Sequence, residues 1–193
     1  MVSARCALPA GLDSKNAPFK SIHEFLTAVH IYTDEAKAGK TRYVEANHYC
    51  AHVRKDLRQC LIYDSHEQDA KLIGVEYMVY ETFDAEEQAP DGFTDNEWEA
   101  AELQVMQDII NLYGKTWHFW QVDVGHQYPI GRPVLMGSVT SAEQVDLDVA
   151  CARRNEVFGV DHVLKAEARK ALQEHGSGDH PRKIPASIAF TAP

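Results

Sequence analysis

The sequence lacks several features that mark common classes of protein. No apolar run approaches the roughly 20 residues that a membrane-spanning helix needs. No basic cluster occurs and the formal net charge is −10, so we expect no nucleic-acid partner and no charge-driven docking on anionic lipid. No glycine-rich phosphate loop follows a predicted strand, which leaves nucleotide-binding folds without support.

Cysteine is scarce, and its spacing matches no common framework. Cys6, Cys50, Cys60 and Cys151 form no Cys-x-x-Cys pair. The first residues also lack the continuous apolar segment of a secretory signal. We therefore predict that all four cysteines are reduced thiols and that the protein is cytoplasmic.

The composition is that of a folded domain with a sizeable core. The chain has 193 residues, of which 45% are hydrophobic and 25% charged, and this length suits one domain. Prolines and glycines without a usable period mark both ends. We predict an extended N-terminal arm over 1–18, a single domain over 19–176 and a C-terminal tail over 177–193.

The first predicted element is a helix. Ser21 and Glu24 have the spacing of a capping box, and Gly39 is a typical stop. An apolar stripe with helical spacing follows the cap and comprises Ile22, Phe25, Leu26, Val29 and Tyr32.

Two firm strands follow an ambiguous segment. Apolar and polar residues alternate only weakly over 43–53, so this segment fits a strand or another structure. Residues 58–64 and 71–80 are rich in isoleucine, valine and tyrosine, and a short polar connector joins them. We predict that these two strands are antiparallel neighbours.

The rest of the chain mixes helices and strands. A second capping box at Thr94 begins a predicted helix that ends at Gly114, and strands are predicted over 115–124 and 134–140. Residues 141–176 suggest one or two helices with a break at Gly159. The predicted fold class is α+β: a single domain with a mostly antiparallel sheet and flanking helices.

Two histidines four residues apart raise the question of a binding site. His48 and His52 share a face whether the segment is a strand or a helix. The same spacing recurs in metal sites, although by itself it is a weak signal. The ordinary interpretation is a pair of half-buried histidines without a ligand.

Two further polar residues interrupt strongly apolar strands. Glu76 lies in "LIGVEYMVY" and His118 in "TWHFWQVDV". A buried carboxylate or imidazole requires a partner, and for Glu76 a salt bridge to Arg58 or Arg42 is the simple alternative. We predict a divalent transition-metal site for Zn, Mn, Fe or Ni, with the ligands His48, His52, Glu76 and His118.

An apolar pocket beside that site would suit a hydrophobic ligand. Tyr49, Met78 and Trp120 lie within two residues of predicted metal ligands and are the candidate lining. We expect a hydrophobic small molecule or a lipid as the partner.

Five ordered blocks resemble the oil body-associated proteins of plants and their fungal and bacterial relatives. They read "AVHIYTDE", "VEANHYCAHVRKDLRQCLIYDS", "AKLIGVEYMV", "LYGKTWHFWQVDVG" and "PIGRPVLMGS". The resemblance implies association with lipid bodies without a membrane-spanning helix, and it carries over no catalytic residue. Relative to plant members the chain is shortened between Val79 and Thr94.

Three functions therefore compete. The first is a metal-dependent enzyme or binding protein for a hydrophobic small molecule. The second is a non-catalytic protein of the lipid-droplet surface, for which residues 142–175 are the candidate amphipathic segment. The third is a structural homo-oligomer without a metal, whose histidines are ordinary core residues.

Overall fold

The computed structural model of the chain describes residues 17–39, 42–54, 56–80, 106, 109, 112–139 and 143–169. The strands within this part are β1 (Ile22–Tyr32), β2 (Tyr43–Arg54), β3 (Leu57–Tyr63), β4 (Leu72–Tyr80), β5 (Leu112–His118) and β6 (Val134–Ser138). The helical elements that the structure bounds are α1 (Ala17–Lys20), α2 (Thr33–Lys37), α3 (Leu147–Phe158), α4 (His162–Ala168) and a 3-10 turn at Val122–Val124.

The strands form a closed antiparallel barrel. Each strand pairs with the next along the chain, and β1 pairs with β6 to close the sheet. The predicted antiparallel pairing of 58–64 with 71–80 is confirmed, since β3 and β4 pair from Leu57↔Val79 to Tyr63↔Leu72. Closure leaves no free edge among these strands.

The predicted fold class, α+β with flanking helices, is wrong because the first predicted helix is a strand. Residues Ile22–Tyr32 form β1, which pairs with β2 along most of its length and with β6 at its end. Six consecutive strands can then close into a barrel, and the described helices are short. The domain is mostly β.

The apolar pattern of β1 misleads because both of its faces are covered. Tyr32 points into the barrel, whereas Ile31 packs outside against Val145 and Ala150 near the start of α3. A strand with two apolar faces shows no alternation and can mimic a helical stripe. Glu24 makes no capping box and instead forms an ion pair with a residue of β3.

The later elements match the prediction in part. Gly114 lies inside β5 rather than at a helix end, and β5 stops at His118. The break at Gly159 is confirmed, because this residue ends α3 with a φ of 61°. The predicted arm before residue 17, the tail over 177–193 and most of the helix from Thr94 lie outside the described residues. In the described part, no helix is long and apolar enough to cross a membrane.

The barrel interior has an apolar layer on either side of a polar one. The first apolar layer comprises Tyr32, Val44, Ala46, Ile62, Ile73 and Met136. The second comprises Cys50, Cys60 and Met78, with Leu26 and Leu112 packed against them. The polar layer between them comprises His30, His48, Glu76, Thr116 and His118, each at most 6% exposed.

The prediction of four reduced thiols is wrong for two of them. Cys50 and Cys60 occupy directly opposed positions on β2 and β3 and form a disulfide. Cys151 is a free, buried thiol on α3. Cys6 lies outside the described residues.

Candidate metal centre

Four strands carry the polar layer of the barrel. The pairing registers place His30 of β1, His48 of β2, Glu76 of β4 and His118 of β5 on the inner face. Because side chains alternate along a strand, these residues point inward together. The interior therefore gathers three imidazoles and one carboxylate from distant parts of the chain.

One half of the layer is built on the carboxylate of Glu76. Its Oε2 atom lies 3.0 Å from Nε2 of His48, and its Oε1 atom accepts a hydrogen bond of 2.7 Å from the hydroxyl of Thr116. Both carboxylate oxygens are thus engaged in the interior. This pairing offsets the cost of burying the charge.

The other half is a contact between two imidazoles. Nδ1 of His30 lies 3.0 Å from Nε2 of His118, so one ring donates and the other accepts. The His30 ring also packs edge-on against His48, with ring centroids 4.8 Å apart. His30 therefore joins the two halves.

Each of the three histidines retains a buried ring nitrogen without a hydrogen-bond partner. These atoms are Nε2 of His30, Nδ1 of His48 and Nδ1 of His118. Buried polar atoms without a partner are rare and indicate an ion, a water molecule or a proton in transit. Three such atoms make this layer a candidate binding site.

Two glycines make room for the polar side chains. A Cβ atom at Gly114 would press against Oε1 of Glu76, and one at Gly74 would lie 2.8 Å from Cδ2 of His118 and clash with the carbonyl oxygen of Trp117. The polar layer therefore requires glycine at both positions, because a methyl group at either one would collide with a polar side chain.

Burial sets the charge state of the layer. It lowers the pKa of His30 well below 6.5, and the adjacent His48 and His118 lower it further. Burial likewise lowers the pKa of His118 to about 4. Burial raises the pKa of Glu76, but the hydrogen bond and charge of His48 outweigh that effect and leave this pKa below 4.5. At neutral pH, His30 and His118 are neutral and Glu76 is ionised, the forms that bind metals.

These shifts predict acid sensitivity of the metal-free chain. The pKa of His118 is about 4 in the folded protein, against an ordinary value of 6.5, so the unfolded chain binds the proton more readily between these two pH values. Stability is full above pH 6.5 and falls towards pH 4, by up to about 1.4 kcal/mol per pH unit for each such histidine. Urea unfolding across this range measures the slope. His118→Gln should flatten it and His126→Gln, in a loop, should not; a wild-type curve that is flat from pH 6.5 to 4 contradicts the assignment.

Three of the buried groups can meet at one ion. His30, His48 and Glu76 each offer a ligand atom, and these atoms all lie within 4.8 Å of one another. Two ligands on a tetrahedral ion, each about 2.0–2.2 Å from it, are roughly 3.4 Å apart. The 3.0 Å separation between His48 and Glu76 needs only a small expansion to admit an ion in place of the shared proton.

The structure brings together three of the four predicted metal ligands. His48 and Glu76 are in contact, and His118 reaches them through His30. His52 does not join them: its side chain is 42% exposed, lies 3.5 Å from Glu24 and packs against His23. The pairing of β2 with β3 is irregular just beyond His52, at the end of the barrel.

Sequence reasoning missed His30 as a candidate ligand. A helical interpretation of this segment places the residue one position off the apolar stripe. Its place in "AVHIY", where an imidazole interrupts apolar residues as His118 does in β5, is the available signal. The prediction of a bound metal itself remains a prediction.

The predicted lining of a ligand pocket is dispersed. Met78 lies inside the barrel beside the disulfide, and Trp120 packs near the opposite apolar layer, where its indole N–H donates to the carbonyl oxygen of His126. Tyr49 lies outside, where it lines a groove of about 230 Å³ between α1 and strands β2 to β4. These three residues do not share a pocket.

Comparison with known proteins identifies related sequences. The family model described as "Protein of unknown function (DUF1264)" matches residues 16–91 and 88–173. The chain is 36% identical to "Oil body-associated protein 1B" of Arabidopsis thaliana over 182 residues, which cover 86% of this chain and 73% of that protein.

A maize protein shows a comparable similarity. The chain is 37% identical to "Oil body-associated protein 1A" of Zea mays over 189 residues, with 86% of this chain and 74% of that protein covered. No solved structure matches the chain.

Proposed function

Because this chain belongs to the oil body-associated protein family, we propose that it is a lipid-droplet protein whose barrel holds one divalent transition metal. The metal would be bound by His30, His48 and Glu76, with His118 adjacent. The observation that carries this proposal is the convergence of three buried side chains, since one ligand atom each from His30, His48 and Glu76 lies within 4.8 Å of the other two.

The donor set suits a first-row transition ion. Two imidazoles and a carboxylate are common ligands of Zn²⁺, Fe²⁺, Mn²⁺ and Ni²⁺, whereas Ca²⁺ and Mg²⁺ favour oxygen ligands alone. The neutral imidazole of His30 and the ionised carboxylate of Glu76 need lose no proton to bind a metal ion.

The position of the site favours a stabilising metal over a catalytic one. Apolar layers lie on either side of it, and a catalytic metal must keep a position open to substrate. An ion that binds only the folded barrel stabilises it by mass action.

Calorimetric titration of the metal-free chain with Zn²⁺ tests the proposal. We expect one equivalent to bind and the melting temperature to rise with it. If the titration gives no heat and the melting temperature does not change, the histidines bind no metal and the barrel is purely structural.

The surface of the barrel supports the lipid-droplet part of the proposal. The registers align the outward-facing residues Leu61, Val75, Trp117 and Leu135 across β3 to β6. Tyr77 and Val79 flank this row and are 46% and 41% exposed. We call these six residues the outer apolar face. Apolar rows of this kind mark interaction surfaces, and a droplet offers an apolar one.

Charge does not explain such binding. The chain carries a net charge of −10, which opposes adsorption on anionic lipid, so burial of apolar side chains must supply the free energy.

Droplet binding should depend on the outer apolar face. Tyr77→Ser/Val79→Ser should reduce flotation with phospholipid-coated triacylglycerol droplets several-fold. The matched control is Val149→Ser/Leu164→Ser, which removes side chains that are 62% and 69% exposed on α3 and α4. Equal loss of flotation in both variants would place the contact elsewhere.

A further inference from the structure

A cluster of sulfur-bearing side chains lies one layer from the histidines. Cys50, Cys60 and Met78 pack together in the barrel interior, and each is at most 6% exposed. Cys50 follows His48 by two residues on the same face of β2, and Cys60 lies opposite Glu76. The cluster is adjacent to the proposed metal centre but shares no residue with it.

The redox state decides what this cluster can bind. In the oxidised chain Cys50 and Cys60 are joined and provide no thiolate. A dithiol reductant supplies two electrons and two protons: the S–S bond breaks, each sulfur becomes a thiol, and the reductant is converted to its own disulfide. The pairing of β2 with β3 keeps the two thiols opposed, since their Cα atoms are 4.1 Å apart.

We propose that the reduced chain binds one Cu⁺ ion between the Sγ atoms of Cys50 and Cys60, with the thioether of Met78 as a third ligand. Binding displaces the two thiol protons to solvent. Thiolate and thioether sulfur are soft ligands that select Cu⁺. The side chains of Leu26 and Leu112, which pack against the cluster, are apolar.

The number of ligands favours Cu⁺ over Zn²⁺. Structural zinc takes four ligands in a tetrahedron, and this cluster offers three sulfurs. Oxidation to the disulfide removes both thiolates, so copper binding and the disulfide exclude one another. The inference is independent of the His/Glu centre and stands whether or not that centre holds an ion.

The test uses one protein in two redox states. In a Cys6→Ser/Cys151→Ser background, which retains only Cys50 and Cys60, the chain is reduced with a phosphine and titrated anaerobically with Cu⁺ against the chromogenic chelator bicinchoninate. We expect one equivalent to bind to the reduced chain and none to the same chain with its disulfide intact. Equal uptake by both forms, no uptake by the reduced form, or unfolding on reduction overturns the proposal.

Two variants locate the copper. Met78→Leu nearly conserves volume but removes the third sulfur ligand, so it should weaken binding by at least about 10-fold, the lower end of the loss when a group that only supports a ligand is removed. His48→Ala should leave Cu⁺ affinity unchanged, and X-ray absorption should show sulfur neighbours only. Loss of binding in His48→Ala together with unchanged binding in Met78→Leu would assign the copper to the histidines and refute the sulfur site.

Discussion

Replacing Glu76 by glutamine, or His48 by alanine, should lower the affinity of the metal-free chain for Zn²⁺ by at least about 100-fold, because even the loss of a second-shell partner can cost that much. Each substitution removes one of three converging ligands. Glutamine retains the shape of Glu76 and can still accept from Thr116, so the barrel should remain folded. Calorimetric titration measures the affinity, and thermal unfolding of the metal-free variants checks the fold.

His52→Ala is the matched control on the same strand. This histidine lies four residues from His48 but is 42% exposed and pairs with Glu24, so its loss should leave Zn²⁺ binding unchanged. Gly114→Ala is a second probe, since it retains every ligand but fills the space beside Oε1 of Glu76 and should weaken binding. Equal losses in His52→Ala and His48→Ala would show that the interior site is wrongly assigned.

Gly74→Ala should destabilise the barrel by about 1–3 kcal/mol, the usual cost of overpacking a core. The added methyl group would meet the carbonyl oxygen of Trp117 and the ring of His118. The carbonyl belongs to the neighbouring strand β5 and cannot move without disturbing its pairing with β4. Chemical denaturation of the variant measures the loss.

Gly137→Ala provides the comparison for this prediction. It lies on β6, and a Cβ atom there would be 3.4 Å from the hydroxyl oxygen of Thr33, an ordinary contact. We expect its free energy of unfolding to stay within about 0.5 kcal/mol of wild type, as for most substitutions away from special features. If Gly74→Ala is as stable as Gly137→Ala, the space beside His118 is not restricted.

The local part of the fold could be predicted from the sequence. The β3–β4 hairpin follows from two β-rich runs and a short connector, and the register then places Glu76 opposite Cys60. His118 is recognisable as a polar residue interrupting an apolar strand. These inferences depend on short-range patterns, which a single sequence displays.

Closure of the barrel could not be predicted in this way. It depends on the pairing of β1 with β6, which are separated by most of the domain. The side chains that pack on the outside of β1 also hide the alternation of its sequence, so the segment is not recognised as a strand. Assigning β1 to a helix excludes His30 from the candidate ligands and leaves the fold with flanking helices.

The disulfide was missed for a related reason. Once 43–53 is recognised as a strand, a hairpin centred near residue 55 places Cys50 opposite Cys60. Cysteine spacing alone does not contain that register. His52 points to the same side of β2 as His48, but its environment differs because the barrel ends between the two residues. Alternation along a strand indicates which way a side chain points and not how deeply it is buried.

The position of an ion in the barrel is the most direct test of the metal centre. Crystals grown with Zn²⁺ should give an anomalous peak at the zinc edge in the polar layer, about 2.0–2.2 Å from ring nitrogens of His30 and His48 and a carboxylate oxygen of Glu76. A polar layer without an anomalous peak, in which the His48–Glu76 hydrogen bond persists at saturating Zn²⁺, would contradict the account.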